Sequence, residues 1–345
     1  MDVSLFDYEL PPDRIAQEPA ESRDASRLLV VDRGRGSWID ARFSDLPRWL
    51  RTGDCLVVNE SRVISARLLG VLEGEGRPVE LLMLRPLDGP RWEALVRPGK
   101  RCRIGARVTL AGGAARATLL EHRALGARAV EIEAPWPVDE LMERHGLPPL
   151  PPYIERYDAP KPEDWERYQT VYATANGSVA APTAGLHFTT KLLAQLGAAG
   201  VEVHRVILHV GVGTFRPIRA ATVEQHRLEP ESAQVPAATA EAVNRARAQG
   251  RRIISVGTTT TRTLEWAADD TGRVRTRSGG ADLFIYPGHR FRVIDALVTN
   301  FHLPRSTLLL LVSAFAGREL VLDSYRHAIA QGYRFYSYGD AMLIL

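Results

Sequence analysis

The sequence predicts an α/β main domain with a mixed sheet plus an inserted small all-β, barrel-like domain. Three observations carry that expectation. At 345 residues the chain is too long for one ordinary core, so two domains are the default. Residues 64–134 alternate short apolar runs with turn residues, with strands recurring about every 8–12 residues as in a barrel or sandwich. From about Tyr168 onward helical and extended patterns alternate, which argues for a mixed or largely parallel sheet. The expected division is a discontinuous α/β domain of residues 1–63 and 149–345, with residues 64–148 inserted.

Taken in order, FDYELPPDRIAQEPA reads as an extended and then helical lead-in, followed by the strands Arg27–Asp32 and Cys55–Asn59. Phe43–Leu50 reads as a short amphipathic helix capped by Ser44. In the inserted domain the apolar runs are separated by Gly74-Glu75-Gly76, Asp88-Gly89 and Gly112-Gly113. It ends in the Pro-rich segments PWPVDE and LPPLPPY, which read as linkers where helices cannot persist. Beyond them, Thr189 or Thr190 caps a helix through Leu196, Val201–Val210 is a strand and Ala237–Gln249 is a helix. Arg252–Val256 is the next strand, with a helix starting among Thr258–Thr261. Ser306–Ala316 and Glu319–Gln331 are helices, the first apolar all round and therefore buried, and Ala341–Leu345 is a closing strand.

Composition sets limits. A chain 45% hydrophobic and 25% charged is of the globular kind. No apolar stretch is long enough to span a bilayer, and the N-terminus lacks a signal peptide's basic-then-apolar pattern, so a cytoplasmic location is expected. The two cysteines, Cys55 and Cys102, form no C-x-x-C pair and cannot alone build a zinc or iron–sulfur site. No long apolar heptad or exposed apolar edge stands out, so a monomer is expected. Net charge is only +3, but Arg85, Arg91, Arg97, Lys100, Arg101, Arg103 and Arg107 face only Asp88 and Glu93 in the same stretch. Such a local excess can follow a phosphate backbone or form a solvated strand face.

Four apolar runs end abruptly in Gly, Thr, His or Asn: GSVAAPTAGLHF, ILHVGVGTFRP, IISVGTTTTRTLE and ALVTNFHLPRST. Open α/β sheets gather ligands just outside their strands' carboxyl ends, so these look like a convergent site. Gly257 followed by Thr258, Thr259, Thr260, Thr261 and Arg262 opens a helix after a strand, which makes an anion site or simply a well-capped helix. It lacks the Lys of a nucleotide P-loop. Around His209, Gly211, Gly213 and Thr214 the glycines allow close backbone approach, yet Arg216 and Pro217 break a dinucleotide fingerprint. Thr183, Gly185 and His187 in one loop, and Thr299, Asn300 and His302 in another, place a histidine beside an aromatic ring, a combination that holds purine-like bases. Each histidine could equally cap its own helix. Asn59 and Arg62 end a strand at the domain boundary, and Tyr338 and Asp340 sit in an aromatic segment that reads first as a packed turn.

Together these segments resemble the S-adenosylmethionine:tRNA ribosyltransferase-isomerase family of queuosine biosynthesis. The strings that carry the resemblance include FDYELPP, VVNESRVISARL, RYQTVYA, GSVAAPTAGLHFT, LHVGVGTFRPI, GTTTTRTLE, LVTNFHLPRSTLLLLVSAFAG and YRFYSYGDAMLI, spread over essentially the whole chain. The resemblance implies transfer of the ribosyl part of S-adenosylmethionine to 7-aminomethyl-7-deazaguanine at the wobble position of a tRNA, with isomerisation to epoxyqueuosine and release of adenine and methionine. S-adenosylmethionine is then a co-substrate, and no metal or prosthetic group is expected. On that footing Thr258–Thr260, with Arg262 or Arg62, would hold the methionyl carboxylate. Gly211, Gly213 and Thr214 would line the nucleoside, and Asn59, Thr183, Gly185, Thr299, Asn300, Tyr338 and Asp340 would complete the substrate site. His187, His209 and His302 are the candidate bases. Arg97, Lys100, Arg101 and Arg103 would meet the tRNA backbone. Where the family usually reads His-x-Met-His-Ser-Glu, this chain has His226 and Glu231 but Leu228-Glu229 in place of Met-His, so no role is assigned to that second histidine, while His226 and Glu231 stay site candidates. An RNA methyltransferase, predicting S-adenosylhomocysteine as product, and a non-catalytic RNA-binding module are the competing readings.

Overall fold

Leu28 and Val30 pack on one face of the central sheet, Leu29 and Val31 on the other, so this strand reads as an unbroken apolar run. The structure is a computed structural model that describes residues 1–155, 159–211, 218 and 220–345. Its strands begin with β1 (Arg27–Asp32), β2 (Ser37–Arg42), β3 (Cys55–Asn59) and β4 (Ser61–Val63). β5 (Arg67–Leu72), β6 (Arg77–Pro86), β7 (Arg91–Arg97), β8 (Arg107–Leu110), β9 (Ala115–His122) and β10 (Ala127–Glu133) follow. After the helices α1 (Val138–His145) and α2 (Asp164–Arg167) come β11 (Ala175–Ser178), α3 (Thr190–Ala198), β12 (Glu202–Leu208) and β13 (Glu231–Val235). The remainder is α4 (Ala237–Ala248), β14 (Ile253–Val256), α5 (Thr258–Ala267), β15 (Arg277–Ala281), β16 (Ala296–Asn300), α6 (Thr307–Ala316), α7 (Arg318–Ala330) and β17 (Ala341–Ile344).

The main sheet has nine strands in the order β15-β13-β12-β3-β14-β16-β17-β1-β2. It is mixed: β12, β3, β14 and β16 run parallel, whereas β13, β15 and β2 add antiparallel edges. Residues of α4, α5, α6 and α7 cover one face, with Leu309 to Val312 of α6 fully enclosed. Leu192 and Leu196 of α3, with Phe43, Leu46 and Phe188, cover the other.

Strands β5 to β10 close into a six-stranded antiparallel barrel around Leu68, Leu81, Met83, Val108 and Leu119. The chain enters and leaves it at one place. Leu147 N donates to Arg67 O at 2.8 Å and Arg67 N to Leu147 O at 3.3 Å. Gly146 makes that approach possible, since a Cβ there would lie 1.9 Å from the Ser65 carbonyl oxygen.

Three local expectations are corrected. The N-terminal lead-in holds only the 3₁₀ turns Val3–Phe6 and Pro12–Arg14, because paired prolines interrupt a longer helix. Phe43–Arg48 is a 3₁₀ helix, not an amphipathic α-helix: Pro47 has no N–H for the Phe43 carbonyl, and the segment starts from Arg42 rather than Ser44. PWPVDE does not exclude a helix. Pro137 directly precedes α1, where a missing N–H costs nothing. Among the described residues no helix is long and apolar enough to cross a membrane.

A candidate substrate cleft between sheet and barrel

A cavity of about 1300 Å³ opens between the barrel and the β12–β13 side of the main sheet. Its sheet side is formed by Asn176, Gly177, His209, Val210, Gly211 and residues 228–232, together with Gly279 and Gly280 of β15. Leu84, Arg85, Pro86, Trp92 and Glu93 supply the barrel side, and Met142, Glu143, Trp165 and Tyr168 close it. This volume exceeds what one small ligand needs.

Of the sequence-predicted residues, the structure brings His209, Gly211, Arg62 and Glu231 to this cleft. Gly213 and Thr214 lie outside the described residues. The runs that end β12, β14 and β16 share one sheet edge with β3, spread over three strand spacings, about 14 Å, but the run from Gly177 follows β11, which pairs with β4 in a separate two-stranded sheet. The cavity opens at the β12 end, and the other ends are occupied by packing. Asn59 spends its amide on backbone: Nδ2 donates to Leu208 O at 2.9 Å, while Oδ1 accepts from Leu208 N at 3.0 Å and Ser61 N at 3.1 Å. Every residue of α5 is buried. Thr260 Oγ1 donates to Val256 O at 2.7 Å, and Thr259 Oγ1 accepts from Asn59 Nδ2 at 3.4 Å. Thr258, like them, does not border the cleft.

Arg262 lies behind the cleft wall. Its Nε donates to Leu283 O at 3.1 Å, one terminal nitrogen to Ala281 O at 3.2 Å and the other to the Glu231 carboxylate. Glu231 Oε1 in turn accepts from Gly211 N at 2.7 Å. With its donors so committed, Arg262 reaches the cleft through Glu231, whereas Arg62 stands exposed at the rim.

The three histidines do not converge. His187 sits between Ser26 Oγ (2.8 Å from Nδ1) and Asn300 Nδ2 (3.1 Å from Nε2), against the Phe43 ring. His302 Nε2 pairs with Thr299 Oγ1 at 2.8 Å. Burial lowers both imidazoles to about 3, so they stay neutral. His209 differs. It lines the cleft half-buried, burial lowers its pKa, and neither ring nitrogen has a hydrogen-bond partner among the described residues. Nδ1 is the enclosed nitrogen.

The remaining candidates are packed elsewhere. Thr183 and Gly185 belong to the 3₁₀ turn Thr183–His187, with Gly185 against the Tyr172 hydroxyl. Tyr338 donates to Asp164 Oδ1 at 3.2 Å, and Asp340 accepts from the Arg27 and Arg334 amides at 2.9 and 2.7 Å. His226 stacks edge-on with Phe284 at 5.3 Å, outside the cleft. Arg97, Lys100, Arg101 and Arg103 are all exposed; Arg97 ends β7 about 13 Å along the strand from Glu93, and the other three follow it. Only Arg85 of the basic stretch reaches the cleft, held by Glu93 at 2.5 Å.

Sequence reasoning missed Trp165, which is 41% exposed on α2 at the cleft. It also missed Gly177, Trp92, Glu143 and the paired Gly279-Gly280, a strand interior without side chains that signals close approach. Among the described residues no group of three His, Cys, Asp or Glu side chains is placed to hold a metal ion.

Comparison with known proteins agrees along the whole chain. The family described as Queuosine biosynthesis protein matches residues 3–344. An S-adenosylmethionine:tRNA ribosyltransferase-isomerase of Moorella thermoacetica is 53% identical, covering 100% of both chains. One from Symbiobacterium thermophilum is 52% identical, again over 100% of each. The crystal structure of S-adenosylmethionine tRNA ribosyltransferase from Thermotoga maritima is similar at 38% identity and a TM-score of 0.57, covering 99% of this chain and 100% of that one. With a matching sequence from end to end, the chain belongs to the queuosine biosynthesis protein family.

Proposed function

We propose that this chain transfers and isomerises the ribosyl moiety of S-adenosylmethionine onto 7-aminomethyl-7-deazaguanine at the tRNA wobble position, giving epoxyqueuosine-tRNA with release of adenine and methionine. Full-length likeness to relatives bearing the name S-adenosylmethionine:tRNA ribosyltransferase-isomerase supports the reaction class. The observation that carries the residue assignment is His209, a neutral imidazole lining the cleft without a hydrogen-bond partner among the described residues.

His209 is the base that removes a proton from the carbon beside the sulfonium, where the positive sulfur acidifies C–H bonds. Its lowered pKa keeps it in the accepting form at neutral pH. Arg62 meets the methionyl carboxylate, and Gly211 lets the nucleoside approach the backbone. Asp139, Glu143 and Glu229 on the cleft wall suit the sulfonium and the aminomethyl cation. Trp165 offers a flat face to an anticodon base, and Arg97, Lys100, Arg101 and Arg103 follow the RNA backbone across the barrel, residues 64–148 serving as an RNA-docking module. The chain works as a monomer in the cytoplasm, with S-adenosylmethionine as co-substrate and no prosthetic group.

The test is incubation with S-adenosylmethionine and an anticodon stem-loop carrying 7-aminomethyl-7-deazaguanine, followed by mass analysis. Adenine and methionine released in step with epoxyqueuosine are expected. S-adenosylhomocysteine as product would mean methyl transfer instead, and RNA bound without turnover would mean a binding module.

A further inference from the structure

We propose that Gly177 is a positioning residue whose bare α-carbon seats the His209 imidazole and aims it into the cleft. The inference rests on His209 as the base and adds what holds it.

The ring is not held by hydrogen bonds, since neither nitrogen has a partner among the described residues. The backbone from His209 to Gly211, by contrast, is hydrogen-bonded at each amide. His209 N donates to Ser232 O at 2.9 Å, Val210 N to Ser178 Oγ at 2.9 Å and Gly211 N to Glu231 Oε1 at 2.7 Å. Ser178 Oγ donates onward to Ala180 O at 2.7 Å, and Val179 N donates to Val210 O at 3.2 Å. The end of β11 is thereby stitched to the segment leaving β12, and this brings Gly177 against the imidazole. A Cβ on Gly177 would lie 3.0 Å from His209 Cε1, 3.1 Å from Nδ1 and 3.3 Å from Nε2. Its three nearest neighbours all belong to that one ring. With the backbone stitched at both ends, the ring is what must move.

Gly177 also sits where the β11–β4 register shifts between Asn176 and Ser178, with φ at +133°. Bulges of this kind re-aim side chains next to active sites. Two demands for glycine therefore coincide, one from backbone conformation and one from the ring, and a double-mutant cycle separates them.

Gly177→Ala is made in the wild-type and His209→Ala backgrounds, and turnover of S-adenosylmethionine with the modified stem-loop is measured alongside both KM values. Gly177→Ala alone is expected to lower kcat about 10- to 100-fold, as small misplacements of a catalytic group do. Both KM values stay within about twofold, and in the His209→Ala background the same change alters residual turnover by less than about twofold. The Cε1–H NMR signal of His209 shifts in Gly177→Ala. A protein that folds with Gly177→Ala only when His209 is also Ala supports the same conclusion. Equal loss in both backgrounds, or failure to fold in both, means glycine serves the backbone alone and overturns the proposal. So does wild-type turnover by Gly177→Ala, and if His209→Ala is inactive the base assignment survives that result. Wild-type turnover by His209→Ala would sink the base and the seat together.

Discussion

Glu231 takes the Arg262 guanidinium on one carboxylate oxygen and the Gly211 amide on the other, at 2.7 Å. A charge on α5 therefore fixes a backbone amide at the cleft without touching the cavity itself. Arg262 and Glu231 are 4% and 7% exposed. Removing one partner strands a buried charge, so Arg262→Met should destabilise by about 3–5 kcal/mol in urea unfolding. Glu231→Gln with Arg262→Met should recover a large part of that loss. A single substitution within 0.5 kcal/mol of wild type, about the size of a neutral surface change, would contradict this account.

His187 and His302, neutral in the folded protein with pKa values of about 3, regain an ordinary pKa near 6.5 on unfolding. Between those limits the unfolded chain binds more protons, so stability falls as pH drops through this window. Each imidazole adds a slope of at most about 1.4 kcal/mol per pH unit. Urea midpoints taken from pH 7 to pH 4 should decline steeply, and His187→Gln or His302→Gln should flatten the decline.

Trp165→Ala should weaken binding of the anticodon stem-loop by about 1–3 kcal/mol, the worth of one base stacked on an aromatic ring. Its exposure means that thermal stability should stay unchanged, as should affinity for S-adenosylmethionine. Equal RNA affinity in the variant and wild type would remove Trp165 from the RNA surface.

Replacing Lys100, Arg101 and Arg103 together by Gln should reduce the salt dependence of RNA binding. Each lost phosphate contact lowers the log–log slope by about 0.7–0.9. A fall in slope of about 2 is expected from titrations between low and physiological salt, with kcat at saturating RNA unchanged. An unaltered slope would assign the RNA path to another face.

The fold was legible wherever apolar runs were continuous or strictly spaced. β1, β3, β14 and β16 announced themselves because both faces are buried, and the barrel because its inward residues alternate between glycine turns. β13 was not legible, although its burial alternates perfectly, because Glu231 occupies one of the buried positions and disguises the pattern. β15, RSGGA, has almost no side chains from which to read a period. β15 at the sheet edge and β13 beside it supply cleft wall next to β12, a contribution that no apolar run announces. Strand ends supplied both His209, which lines the cleft, and residues whose polar atoms satisfy neighbouring backbone, such as Asn59 and Thr260. Sequence shows that a polar group stands at a strand end; only packing decides whether its partner is a ligand or a carbonyl. Trp165, between prolines and charges, carried no periodic signal at all.

The bridge between Arg67 and Leu147 has a further implication for how such a chain can be built and rebuilt. Because the outgoing strand β5 and the returning chain at Leu147 touch at that bridge, the barrel leaves and rejoins the rest of the chain at a single point. None of the nine strands of the main sheet lies between residues 66 and 148. A change of length inside the barrel therefore need not alter the threading of the sheet, whereas a change at Arg67 or Leu147 moves one wall of the cleft against the other.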